Sequence, residues 1–399
     1  MASVLDILVS VFLFLCTLVV VNCISPPKIF DVVNYGAAAD GKTDNTKAFL
    51  MAWNDACEYG GRSKVWVPVG TFLLGPVIFG GPCKGPVAFI IKGTLKAPTS
   101  QNFFTDTWIG FRYLNHLTVA GGGVLDGQGH VAWRYNDCRT NPHCKPLPVT
   151  MRFDFITNSK IYKIQSINSK STHFSIYACL NLNISKIRIN APGDSPNTDG
   201  IRIGFSSNIN ISHSPISTGD DCISMLFGSQ NIDINDVACG PGHGISIGSL
   251  GRGHEDEYVT GISVRNCSFI GTDNGARIKT YASSKYSEAS NILFQDIYME
   301  NTRNPIIIDQ HYGSTLTDFY SPVGYGSAVQ IKDVTFKNIW GSSSSKAAVN
   351  IQCSGALPCR NVKLINIDLA DSGPEGQAVS LCSNVFGSSY GKVVPDGCL

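Results

Sequence analysis

The sequence predicts an all-β chain wound as a single-domain parallel β-helix, and three observations carry that prediction. First, one phrase recurs from residue 158 onward, in which Asn, Gly or Asp opens a run of alternating apolar residues. It reads NSKIYKI at 158, NLNISKI at 181, NINISHS at 208, NIDINDV at 231, GISVRNC at 261, NILFQDI at 291, DVTFKNI at 333 and NVKLINI at 361. Second, successive starts lie 23, 27, 23, 30, 30, 42 and 28 residues apart, the length of one coil in a solenoid that stacks its units over a continuous apolar column. Third, each copy is a period-2 run of β-branched residues bounded by turn formers, and helical periodicity is absent there. A β-sandwich spaces its strands by turns every ~8–12 residues and has no reason to return to one phrase per coil.

The elements follow in chain order. Residues 1–23 hold an apolar run from Ile7 to Val21, the length of a secretory signal and short for a membrane span. The mature domain is therefore expected over 24–399, secreted and free of the membrane after signal removal. Thr43–Cys57 places Ala48, Phe49, Ala52 and Ala56 at helical spacing behind capping residues, and predicts a helix that closes one end of the column. The asparagines that open the repeats are expected to stack as a hydrogen-bonded ladder at a bend.

Twelve cysteines follow Cys23, and a secreted chain normally pairs most of its thiols. Spacing suggests Cys138 with Cys144, Cys222 with Cys239, Cys353 with Cys359, and Cys382 with Cys398, with Cys57 to Cys83 at longer range. Cys179 and Cys267 are either a further pair or two buried thiols. Sequons stand at Asn183, Asn210 and Asn266, open to glycosylation in that compartment. The formal charge of +1 with 15% charged residues gives no support to a nucleic-acid partner. It leaves room for an acidic substrate if the cations are concentrated at one place.

They are. SPNTDGIRIG at 195, GDDCISM at 219 and GHGISIG at 242 set Asp199, Asp221 and His243 at intervals of 22 residues, and so at equivalent bends of three stacked coils. Strands in such a stack lie ~4.8 Å apart, so the side chains cluster. NGARIKT at 274 aligns by its glycine, which turns Ala276 and Ile278 inward and Arg277 and Lys279 outward onto the same patch. Hydrolysis of a glycosidic bond needs one protonated acid at the leaving oxygen and one ionised base or nucleophile at the anomeric carbon. Repulsion between the neighbours Asp220 and Asp221 is expected to raise the pKa of one of them. The two cations suit the carboxylate of a uronic acid.

At these residues the chain resembles the polygalacturonases, inverting glycoside hydrolases that cleave pectin. The family's four marks stand here as Asn197-Thr198-Asp199, Gly219-Asp220-Asp221, Gly242-His243-Gly244 and Arg277-Ile278-Lys279. The likeness extends from FDVVNYGAAADGKTDNTKAF to Cys398, and LPVTMRFDFITNSKI and CGPGHGISIGSLGR are similar to the plant, pollen-type exo-acting branch. The resemblance implies a right-handed parallel β-helix and a polygalacturonan substrate. It assigns Asp220 as general acid, Asp199 with Asp221 as the bases that activate water, and His243 as the residue that tunes the acid. It assigns Asn197, Arg277, Lys279 and Tyr312 to the substrate, and implies no metal and no cofactor. A cell-wall location and a monomer are the matching expectations. The chain departs from plant relatives in having Gly313 where they usually place a cysteine after the tyrosine. A calcium-dependent pectate lyase and an inactive pectin-binding protein are the competing readings. Whether the groove is closed for exo action is expected to depend on loops such as 251–258.

Overall fold

The computed structural model describes residues 26–99, 106–136, 141, 144–252, 258–282, 286–313, 326–371, 373 and 376–399. The expected signal segment and Cys138 lie outside them. No helix among the described residues is long and apolar enough to cross a membrane.

Two sheets carry the chain, one of 20 strands and one of 11 among the described residues, and their strands pair in parallel. The recurring phrase supplies the broad sheet, as its period-2 pattern requires. Ile161, Ile184, Ile211, Ile234, Val264, Phe294, Phe336 and Leu364 pair in succession, each one coil above the last. All of them are buried, and full burial of each such side chain contributes about 1.5–3 kcal/mol. This is the continuous column of a parallel β-helix.

The ladder at the bend is present as well. Asn158, Asn181, Asn208 and Asn231 all adopt left-handed backbone, with φ between 49° and 56°, a conformation that asparagine tolerates better than most residues. Each passes its amide to the coil below, at 2.9 Å to Asn115, 2.9 Å to Asn158, 3.0 Å to Asn181 and 3.3 Å to Asn208. The strain of each corner is offset by one amide hydrogen bond, worth about 1 kcal/mol net.

The capping helix runs Thr46–Glu58 behind the N-cap Asn45, within one residue of the expected end at Cys57. Asp40–Asp44 is drawn into a strand against Thr71–Leu73, and the Asp44 carboxylate caps the helix by accepting from the Thr46 amide at 2.9 Å. Ala48, Phe49, Ala52 and Ala56 face the column with Trp53, which packs on Phe79 at 5.1 Å and Phe111 at 5.6 Å. These aromatic coils precede residue 158 and do not carry the recurring phrase.

Disulfides join Cys57–Cys83, Cys222–Cys239, Cys353–Cys359 and Cys382–Cys398. Cys144 is also disulfide-bonded. Cys179 and Cys267 are two buried free thiols rather than a pair. Of the sequons, Asn183 is exposed, whereas the Asn266 amide already donates to Asn235 at 2.8 Å.

Candidate active site

The register of 22 residues holds in the narrow sheet. Ile201, Ile223, Ile245 and Ala276 pair rung on rung and point inward. Two residues before them stand Asp199, Asp221, His243 and Asn274, all at the same bend. One residue after them stand Arg202, Ser224, Ser246 and Arg277, which alternation turns outward. The catalytic patch is thus two parallel columns of side chains, spaced by the strand separation of ~4.8 Å.

The columns are stitched together diagonally. Asp199 accepts from the Ser224 hydroxyl of the next coil at 3.0 Å, and its other oxygen pairs with Arg202 at 3.1 Å. Asp221 repeats the arrangement one coil higher, accepting from Ser246 at 2.6 Å and from Lys279 at 2.7 Å. Both carboxylates are buried, at 3% and 2% exposure. Asp220 points the other way and meets Nδ1 of His243 at 3.1 Å, while Nε2 of that ring lies 3.5 Å from Asp273. Gly244 is required here, because with φ of +85° a Cβ would run into the carbonyls of Asn274 and Gly275.

Electrostatics separate the acids. Burial, with the charges of Asp220 and Asp221, pushes Asp199 up to about 6 against the opposing pull of Arg202. Burial would also raise Asp220, but the hydrogen bond and charge of His243, then the charge of Lys279, hold it below the ordinary carboxylate value. His243 is raised in turn, chiefly by its hydrogen bond to Asp220 and against its own burial. An expectation that crowding would raise Asp220 therefore needs correction: that carboxyl is held low, and the one held high is Asp199. The physical reason is that Asp220 has His243 and Lys279 to offset its burial, whereas Asp199 is fully enclosed beside two acids and its burial outweighs the pull of Arg202 and Lys279.

The cations are placed for an anion. Arg277 is 12% exposed, its nearest carboxylate contact is Asp221 at 3.6 Å, and its buried Nε has no hydrogen-bond partner. A buried donor left unpaired costs about 1–3 kcal/mol, which an incoming carboxylate would recover. The ring of Tyr312 lies over both cations, 5.3 Å from the Arg277 guanidinium and 5.2 Å from the Lys279 ammonium. Asn197 sits exposed on the rim with φ of 55°, accepting from the Asn136 amide at 2.9 Å.

All eight residues singled out from the sequence are therefore described, and the acids, His243, Arg277, Lys279 and Tyr312 meet in one cluster. Arg202, Ser224, Ser246, Asp273 and Asn136 went unread. The first three were within reach, since the same interval that aligns Asp199 with Asp221 puts 202, 224 and 246 in one outward column. Asp220, Asp221 and His243 bring one ligand atom each to within 4.8 Å of one another, a group that could hold a metal ion. The Lys279 ammonium already occupies one oxygen of Asp221 and repels a second cation there.

Residues 57–390 match the profile of the glycosyl hydrolases of family 28. The chain is 45% identical to an exopolygalacturonase of Arabidopsis thaliana, over 94% of this chain and 84% of that protein. It is 42% identical to a polygalacturonase of Gossypium barbadense, over 100% of this chain and 97% of the relative. Among solved structures it resembles an endo-xylogalacturonan hydrolase from Aspergillus tubingensis, with a TM-score of 0.79 at 23% identity over 91% of this chain and 100% of that one. An exopolygalacturonase from Thermotoga maritima superimposes with a TM-score of 0.74 at 20% identity, over 91% and 92% of the two chains. At those identities the structures speak for the fold, which they share as a right-handed β-helix.

Proposed function

This chain belongs to the glycosyl hydrolases of family 28, and from that premise we propose that it hydrolyses the α-1,4-glycosidic bonds of polygalacturonan with inversion, working from the chain end. The single observation that carries the reading is the paired rungs: Asp199 and Asp221, each fixed by a serine from the coil above, beside an Asp220–His243 pair and a buried arginine lacking a hydrogen-bond partner at Nε. Arg277 and Lys279 take the galacturonate carboxylate, Tyr312 bounds that sugar, and Asn197 holds the rim.

Asp220 is the general acid. In the free site its carboxyl is held low and the imidazole of His243 is held high, so the proton rests on His243. An anionic sugar that displaces water next to Asp220 raises that carboxyl, the proton passes across the 3.1 Å contact, and Asp220 delivers it to the leaving oxygen. Asp199 and Asp221, on consecutive rungs, take the proton from the attacking water. The nearest oxygens of Asp220 and Asp221 fall within 4.8 Å, closer than the ~6.5–9.5 Å usual between the two carboxyl groups of an inverting enzyme. The water is therefore assigned to Asp199 and Asp221 jointly rather than to a gap between Asp220 and Asp221.

Action at the chain end is supported by a contact that ties an earlier segment to the rim of the site. Asn136 follows the short turns Gly129–Val131 and Trp133–Tyr135. It precedes the strand Val149–Asp154 yet bonds Asn197, which precedes Ile201–Gly204 two coils higher. Of the loop first considered for that role, residues 253–257 lie outside the described residues. The disulfides fit an oxidising compartment outside the cytosol. We take the site of action to be the cell wall after secretion, and the active unit to be a monomer, testable by size-exclusion chromatography.

The deciding experiment is a product time course on polygalacturonic acid, run with and without a chelator. Monogalacturonate from the first minutes, with viscosity falling slowly, is the expected result. Mixed oligomers and rapid thinning would make it an endo-enzyme. Unsaturated products that vanish with chelator would make it a lyase, and intact binding without any cleavage would leave a pectin-binding protein.

A further inference from the structure

The corner that follows the strands of the narrow sheet carries a row of aromatic side chains. Tyr113 stacks on Phe155 at 4.9 Å, and Phe155, Tyr177, Phe205 and Phe227 continue the row at 6.1, 5.4 and 4.8 Å. Beyond the next coil the pattern resumes with Tyr281 against Tyr312 at 5.2 Å. The coil between them is that of His243, and at its corner stands a cation in place of a ring: the exposed Arg252, whose guanidinium lies 5.0 Å from the centre of the Tyr281 ring. Arg252, Tyr281 and Tyr312 thus form one stack, and Tyr312 in turn covers Arg277 and Lys279 at 5.3 and 5.2 Å.

Tyr281 directly follows the strand that bears Arg277 and Lys279 and is tied to the coil below, whereas Tyr312 is tied to that strand itself. The Tyr281 amide donates to the Leu250 carbonyl at 2.8 Å and the Tyr312 amide to that of Thr280 at 3.2 Å. Gly313 completes the seat. Its φ is +72° and a Cβ there would stand 2.8 Å from Cε1 of Tyr281, so the ring of Tyr281 fills the space that a side chain at 313 would need. The residue that departs from the plant pattern is the residue that lets this stack close.

We propose that Arg252, presented on Tyr281, binds the carboxylate of a second galacturonate unit, next to the one held by Arg277 and Lys279. This rests on the polygalacturonan reading and deepens it, since it makes the site select two consecutive free acids rather than one. The chemistry is specific: a guanidinium stacked on an aromatic face keeps its planar donor edge free for a carboxylate. A methyl ester, which offers no anion, loses that contact. Tyr281 is a positioning residue, acting through Arg252.

The test is calorimetric titration in an Asp220→Asn background, where turnover is slowed, using galacturonate, digalacturonate and digalacturonate methyl-esterified at single units. Arg252→Ala should narrow the preference for digalacturonate over galacturonate by about tenfold, the worth of one charge-assisted hydrogen bond at an exposed position. It should also abolish the discrimination against an ester at one unit. Arg252→Lys should restore part of the preference, and Tyr281→Ala should mimic Arg252→Ala. Equal weakening of galacturonate and digalacturonate, or no change in their ratio, would overturn the assignment. If no galacturonate oligomer binds the Asp220→Asn parent, the functional reading itself falls, and the assignment falls with it.

Discussion

Replacing Asp199 by Asn should stabilise the fold while removing activity, and the size of the gain follows from the site. The Asp199 carboxyl is moved from 3.8 to about 6, chiefly by burial and then by its two acidic neighbours. A carboxyl raised in the folded state is proton-rich relative to the unfolded chain, so its contribution to stability is complete below pH ~4 and is lost as pH rises through about 6. At roughly 1.4 kcal/mol per pH unit, that interval corresponds to about 3 kcal/mol lost by pH 7. Asparagine keeps an acceptor for Ser224 and Arg202 but carries no charge to desolvate. Guanidinium chloride unfolding of both proteins at several pH values between 4 and 7.5 isolates the effect, since groups common to both cancel in the difference. The variant's advantage should grow by about 3 kcal/mol across that range, with no galacturonate released at any pH. A difference that stays flat, or shrinks as pH rises, would refute the reasoning and mean that Arg202 compensates the buried charge in full.

Other outcomes follow from the same geometry. Lys279→Ala removes the 2.7 Å partner of a carboxylate only 3% exposed in its side chain, so it should lower stability by about 3–5 kcal/mol as well as raise KM. Lys279→Arg should recover most of the stability, as read from denaturant midpoints. His243→Ala should move the alkaline limb of kcat/KM to lower pH, because the proton shared with the raised imidazole is then held by Asp220 alone. A limb left in place would exclude His243 as the proton's resting place. Proton NMR of the first product should show inverted anomeric configuration, and net retention would reassign Asp221 as a nucleophile. Asp220→Asn should lower kcat at least ~10²–10⁴-fold with the fold intact, checked by circular dichroism alongside the rate.

The periodic part of this molecule was legible in the sequence because a β-helix repeats its register. The phrase beginning at Asn158 gave the coil length, and the 22-residue interval from Asp199 to His243 put three functional residues on adjacent rungs without any structure. The coils before residue 158 were not legible. Their core is built from Phe72, Phe79, Phe89 and Phe111, which fill the column by volume and follow no shared phrase. The capping helix was visible by period behind its capping residues, whereas the pairing of Asp40–Asp44 with Thr71–Leu73 was not, because it joins segments about thirty residues apart.

The sequence by itself determined the fold, the family and which acids are present, since those depend on period and residue type. Only the tertiary structure decided what each acid does in the free protein. Whether a carboxyl is raised depends on how deeply the stacked coils bury it and on which charges from other coils stand beside it. Lys279 lies 58 residues from Asp221, and His243 lies 23 from Asp220. The contact of Asn136 with Asn197 and the seating of Tyr281 against Gly313 belong to the same class, because side-chain contacts between distant coils leave no mark in local sequence pattern.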